Sequence, residues 1–312
     1  MHPSASFRTA LLILLLFLAI PGLGADLGNT DAPLFQMREW QLDNPGISGN
    51  PFDLDASVIF IHIESGTTRT TGMFYDGNGA YRFRFTGDRQ GVWTFTTTSS
   101  DADLHNHQGS VTVTEPLPGT RGFLTAIGNQ WGWQHSGQVF TPQLVMYKSP
   151  HEFQNDPALV DADIQEFIVG HGFTGFHVQS VAAGWFDIDR STQGSRTIDG
   201  SDPNPDPATF EALEMLISRT HAAGGSVHIW VWGDEERQQT ASEWSINGTV
   251  DRRLQRYIAA RLGPLPGWSM SYGFDLWEWV TQADLDGWHS FMHQQMGWPP
   301  LLGARASKNE LD

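Results

Sequence analysis

Two hydrophobic periods divide this chain. Up to about residue 115, apolar residues recur at every second position: Tyr81, Phe83 and Phe85 alternate with Arg82 and Arg84, and Trp93 and Phe95 with Thr94 and Thr96. Ile59, Ile61 and Ile63 share one face of another such run and Val58, Phe60 and His62 the other, so that strand is apolar on both faces except at His62. Turn chemistry separates the runs, as Asp76-Gly77-Asn78-Gly79 and Gly87-Asp88-Arg89-Gln90-Gly91. Short alternating strands at this spacing predict a β-sandwich over residues 31–116.

Thr114 to Gly122 is rich in Pro and Gly and marks a boundary, and Phe123 to Val139 reads as a short hairpin with Trp131 and Trp133. Beyond it the period lengthens. Thr141 to Tyr147 predicts a strand, and Asp156-Pro157 then opens a helix striped by Leu159, Val160, Ile164, Phe167 and Ile168. Phe173 to Val181 is the next strand, followed by a loop rich in Asp, Ser, Gly and Pro. Asp206-Pro207 repeats the same helix start, with Phe210, Leu213, Leu216 and Ile217 as its stripe. Ser226 to Trp232 is a third strand, Val250 to Leu262 a helix, Gly267 to Val280 a strand ending in two acids, and Pro299 to Arg305 a fifth strand. A helix striped by Leu285, Trp288, Met292 and Met296 precedes the last. Strand and helix alternating in this way predict a parallel α/β fold. With carboxylates at the strand ends the expected form is a (β/α)8 TIM-type barrel over residues 121–312, incomplete at about strand five, because a full barrel needs ~250 residues. A smaller doubly wound sheet of five strands is the alternative, although no Gly-rich phosphate loop accompanies it.

Composition narrows the partners. The formal net charge of −17 argues against nucleic acid or an anionic membrane surface, which need clustered Lys and Arg. The absence of cysteine excludes disulfides, thiolate nucleophiles and Cys-type zinc sites. Residues 1–25 read as a secretory signal peptide, with Arg8, an apolar run from Leu11 to Ile20 and small residues before Ala25, so the expected location is secreted or periplasmic and no membrane contact is expected after cleavage. Thirteen Trp and nineteen Phe beside many Gly and Asp suit sugar-stacking surfaces as well as large cores.

Parallel-sheet enzymes of this kind place their chemistry at the C-terminal ends of the strands. Those ends carry Tyr147 and Lys148; His177 and Gln179, with Trp185 in the loop; Trp230, Trp232, Asp234 and Glu235; Asp275 and Glu278; and Arg305. Glycosidic bond cleavage uses one carboxyl to protonate the leaving oxygen, another as nucleophile or base, and flat faces to hold the ring. The catalytic candidates are therefore Glu278 and Asp275, with His177, Gln179, Trp185, Trp232, Asp234, Glu235 and Arg305 as substrate-binding candidates and a carbohydrate as the partner. Each has a plainer reading as well: Asp275 and Glu278 as caps of the following helix, the histidines as hydrogen-bonded interior residues, Trp230 and Trp232 as core. No cofactor is implied. His289 and His293 have the i, i+4 spacing of a helical zinc site, but Ser290 stands where the metalloprotease motif needs Glu, and no metal is assigned.

Two resemblances add to this reading. Arg38-Glu39-Trp40, Asn50-Pro51-Phe52, Phe74-Tyr75-Asp76-Gly77 and Gly91-Val92-Trp93-Thr94-Phe95 resemble the immunoglobulin-like domain found ahead of certain glycoside hydrolase barrels. The later segment resembles the clan A glycoside hydrolases and the related apiosidase-like barrels, whose general acid/base lies at the end of strand four. The clan A pattern has Asn before the Glu where this chain has Trp277 before Glu278; the apiosidase-like pattern resembles Gly273-Phe274-Asp275. What these imply is a secreted enzyme hydrolysing O-glycosidic bonds in a poly- or oligosaccharide, represented here by a fragment whose second carboxylate, expected at strand seven, is missing. A non-catalytic secreted carbohydrate-binding protein is the competing expectation.

Overall fold

The computed structural model describes residues 24–191, 200–236, 238–298 and 301–303, so the signal-like segment before residue 24 and Arg305 lie outside the described residues. The first part contains β1 (Asp26–Pro33), β2 (Met37–Asp43), β3 (Ala56–His62), β4 (Thr68–Gly72), β5 (Phe74–Tyr75), β6 (Ala80–Thr86), β7 (Gly91–Ser99) and β8 (Gln108–Thr114). They form a five-stranded sheet in the order β1-β8-β7-β3-β4 and a three-stranded sheet in the order β2-β6-β5. The period-two pattern places the side chains as expected in β7, where Trp93, Phe95 and Thr97 are buried and Val92, Thr94 and Thr98 are exposed. Between the sheets lies an aromatic core: Trp40 stacks on Phe83 at 5.1 Å and Phe60 on Phe85 at 4.3 Å. His62 is buried in this layer with Ser65 and the Gln90 carbonyl on its two ring nitrogens, while Ile59, Ile61 and Ile63 face outward.

Strand β6 is not half-exposed, as its alternation predicts. Tyr81, Phe83 and Phe85 face the aromatic core, and Arg84 and Thr86 are buried on the opposite side against later helices. Arg84 donates to Glu39, to both oxygens of Glu214 and to the Arg261 carbonyl, and Thr86 donates to the Pro264 carbonyl. Trp298 closes the same seam from the far end of the chain, its ring against Phe85 and Phe123 and its indole N–H on the Thr86 carbonyl.

A three-stranded hairpin sheet follows, of β9 (Leu124–Ile127), β10 (Gln130–Trp133) and β11 (Val139–Phe140). The remaining elements are β12 (Leu144–Tyr147), α1 (Pro150–Phe153), α2 (Pro157–Asp163), β13 (Gly175–Val178), α3 (Pro207–Ala222), β14 (Ser226–Trp232), α4 (Thr249–Leu262), β15 (Trp268–Gly273), α5 (Gln282–Gln295) and β16 (Leu302–Gly303). Helix α2 runs on through π-type turns over Ile164–Gly170. The helix starts have local causes: Asp156 and Asp206 each accept a backbone N–H in the first turn with Pro at the first helical position, and Thr281 and Asp284 form a capping box for α5.

The barrel expected from the sequence is not formed. Strands are spread over four sheets with five α-helices among the described residues, and β12 to β16 make one open parallel sheet whose edges are β12 and β16. Alternation of strand and helix encodes parallel pairing, but closure depends on edge-to-edge pairing that no local pattern carries. The doubly wound alternative is not formed either, because the order β12-β13-β14-β15-β16 contains no reversal. Right-handed crossovers that always advance in one direction put successive helices on one face. Phe176, Val178, Val227, Ile229, Val231, Met270 and Tyr272 accordingly pack with Val160, Phe210, Leu213, Leu254, Ile258, Trp288 and Met292. The other face carries Met146, His177, His228 and Ser269 in register across four strands, with Trp230 and Ser271 one layer on. Met146 is 53% exposed on it.

Candidate functional site

Strand β15 is buried along its whole length and ends at Gly273. A Cβ there would meet the Trp232 carbonyl at 3.0 Å and the Leu276 and Trp279 side chains at 3.2 Å, so the chain turns at glycine. Asp275 follows with φ 49° and ψ 37°, a left-handed conformation that costs a non-glycine residue on the order of 1–2 kcal/mol. One turn, Leu276–Glu278, then swings Trp277 and Glu278 outward, and the Glu278 N–H donates to the Asp275 carbonyl. Neither acid caps α5, since the Asp275 side chain makes no capping bond and Thr281 and Asp284 do that work. The plainer reading of these acids as caps therefore fails.

Glu278 is exposed, yet its carboxyl is held above the usual glutamate range. Partial loss of hydration leads the causes, followed by the negative charges of Asp275, Glu236 and Asp234, against one backbone hydrogen bond from Glu235. Carboxylates from the ends of β14 and β15 thus gather at one place. Trp277, between Asp275 and Glu278, is 62% exposed, an unusual position for an indole. Asp234 is buried, and Glu235 accepts hydrogen bonds from the Thr240 and Ser242 hydroxyls, which hold the β14 loop in shape.

The face of the parallel sheet opposite the helices, with Trp131 of the hairpin 6.1 Å from His228, leads toward these acids. The His177 ring stands edge-on to Trp230 at 4.0 Å, and Trp230 in turn lies 4.8 Å from Phe274. Burial pulls His177 down to about 4 and, together with His177 itself, pulls His228 down to about 3, so both imidazoles are neutral at pH 7. His228 is held between the Ser269 and Ser271 hydroxyls, whereas His177 Nε2 is buried without a partner. Gln179 lies half-buried just beyond β13. At the end of β12, Tyr147 and Lys148 both donate to Asp163.

Trp185 and Trp232 are placed differently from the other candidates. Each is fully buried, Trp185 donating its indole N–H to the Val231 carbonyl and Trp232 to Asp251, so neither offers a ring face to a ligand. Trp277 and Phe274 occupy the aromatic positions beside the acids instead. The one sequence signal for Trp277 is its place between two carboxylates in a turn, where burial is not available to it.

A DUF5060 domain, a domain of unknown function, is present at residues 31–100. No curated protein matches the chain in sequence. Among solved structures the chain is similar to a putative glycoside hydrolase from Bacteroides vulgatus, with 20% identity and a TM-score of 0.72 over 91% of this chain and 57% of that one. It is also similar to a glycoside hydrolase family 5 protein from Bacteroides vulgatus, with 13% identity and a TM-score of 0.40 over 61% of this chain and 41% of that one. A GH5_18 protein from Streptomyces cattleya in complex with GlcNAc shares 15% identity at a TM-score of 0.34, over 52% and 44% of the two chains. The first of these similarities shows a shared fold, and this chain spans 57% of that neighbour's length.

Proposed function

We propose that the protein hydrolyses O-glycosidic bonds in an oligo- or polysaccharide, with Glu278 as the proton donor to the leaving oxygen. The observation that carries this is an exposed carboxyl with a raised proton affinity, beside further carboxylates and an exposed indole at the ends of two parallel strands. A general acid gives its proton to the leaving oxygen in the transition state, and negative neighbours that raise a carboxyl's proton affinity favour the protonated form it needs. Trp277 supplies a flat face for the sugar ring. A second carboxylate acts as nucleophile when ~5–5.5 Å from the first, or as base to a water at ~6.5–9.5 Å. Asp275, which matches the apiosidase-like pattern Gly273-Phe274-Asp275, is the other candidate for the acid.

The same proposal takes residues 31–116 as an immunoglobulin-like unit without chemistry of its own, residues 121–312 as the unit bearing the site, and an extracytoplasmic location for the mature protein. No helix among the described residues is long and apolar enough to cross a membrane. A second reading, carbohydrate binding without cleavage, is favoured by Trp277 alone, since an exposed indole holds sugars whether or not an acid acts. Reducing-sugar release from a panel of neutral oligosaccharides by the natural protein at its full length separates the two. Asp275→Asn or Glu278→Gln should lower the rate by on the order of 10²–10⁴-fold. Binding with no release at all would leave only the second reading, and release within a few fold of the parent in both variants would remove the acid from this turn.

A further inference from the structure

Helix α5 carries His289 and His293 four residues apart, which sets them one above the other on one face of the helix. Both are exposed, and neither takes part in the acidic site. Their Nε2 atoms are 3.0 Å apart, their ring centres 4.3 Å apart and their planes inclined by 64°. Two imidazoles joined end to end by a hydrogen bond hold their centres further apart than their nitrogens by about a ring's width. Here the centres exceed the nitrogen separation by much less, so the rings are inclined to one another with their two Nε2 atoms in contact, both on exposed residues of α5.

That is the arrangement a cation needs. Two nitrogens bound to one zinc ion at ~2.0–2.1 Å with a near-tetrahedral angle between them lie a little over 3 Å apart. We propose that His289 and His293 form a surface site for a divalent transition cation of the zinc class, bound through both Nε2 atoms of one chain with water completing the coordination. Imidazole suits zinc, copper and nickel, and the chain's net charge of −17 favours cations near its surface. No cluster of three or more His, Cys, Asp or Glu that could hold a metal occurs among the described residues, so the affinity is that of a two-ligand site. With Ser290 rather than Glu between the ligands there is no base to activate a bound water in the protease manner, and the bound ion acts as a clip across the later turns of α5. This site is independent of the proposed hydrolase activity.

Calorimetric titration of the tag-free chain with zinc chloride, in a buffer that does not chelate, tests it. One ion per chain is expected, and His289→Ala and His293→Ala should each weaken binding by roughly tenfold or more, whereas His171→Ala should leave it unchanged. Both rings are exposed, so the variants keep the fold, which far-ultraviolet circular dichroism checks. Thermal unfolding midpoints should rise with zinc in the parent and not in a doubly substituted His289→Ala/His293→Ala chain. No saturable binding, binding that survives the double substitution, or half an ion per chain with zinc-dependent dimerisation would each overturn the proposal.

Discussion

Glu214 on α3 should be among the most costly surface-adjacent residues to truncate. Its two oxygens accept Arg84 Nη1 at 2.8 Å and Nη2 at 3.0 Å, and one of them also accepts Arg261 Nε at 2.5 Å. The arginine side chains are only 6% and 2% exposed, so Glu214→Ala leaves two desolvated cations without their shared anion. Breaking a buried pair by removing one partner costs about 3–5 kcal/mol. Arg84 keeps Glu39 at 2.7 Å and Arg261 keeps Asp76 at 3.0 Å, which places the expected loss near the low end, about 3 kcal/mol. For a chain of 312 residues that corresponds to a fall of about 5 °C in Tm. Glu211 provides the control, since its carboxylate is 67% exposed and 3.9 Å from Arg261, and Glu211→Ala should cost at most about 0.5 kcal/mol. Urea unfolding of the three proteins, at low and high salt, gives the comparison; the Glu214 effect should persist in salt. If Glu214→Ala cost no more than Glu211→Ala, the seam between the first sheets and the later helices would not be held by this network.

Two further predictions concern pH and backbone strain. Glu39 is desolvated, but Arg84 and Arg82 outweigh that and lower its pKa below the usual 4.5, so its contribution is fully present above that value and is lost as pH falls through the folded-state value. Tm measured through the acid range should therefore fall less steeply in Glu39→Gln than in the parent, and parallel curves would contradict the assignment. Asp275→Gly removes a side chain from a left-handed position and should leave stability unchanged or raise it by up to about 1 kcal/mol; a loss larger than that would mean the carboxylate holds the turn together.

Local chemistry made much of the chain legible. The Asp156-Pro157 and Asp206-Pro207 helix starts and the Ser226–Trp232 strand appear where the sequence placed them, because a cap or an apolar run between turns acts over a few residues. Arg84 was not legible as a buried residue: its alternation with Phe83 and Phe85 is that of an exposed position, and the partners that bury it lie 130 and 177 residues away. Sheet closure was likewise beyond a periodicity argument. Asp275 and Glu278 stood out because charge is rare in an apolar run. Trp185 and Trp232 look the same in sequence as Trp277, and only the destinations of their indole N–H groups, the Val231 carbonyl and Asp251, show that they belong to the core.

Leaving-group dependence tests the central claim most directly. With aryl glycosides of graded leaving-group acidity and the natural protein at its full length, kcat/KM for Glu278→Gln should fall steeply, on the order of 10²–10⁴-fold, for poor leaving groups that need a proton, and only slightly for strongly acidic phenols that do not. A loss of equal size across the whole series, or no loss at all, would contradict Glu278 as the proton donor.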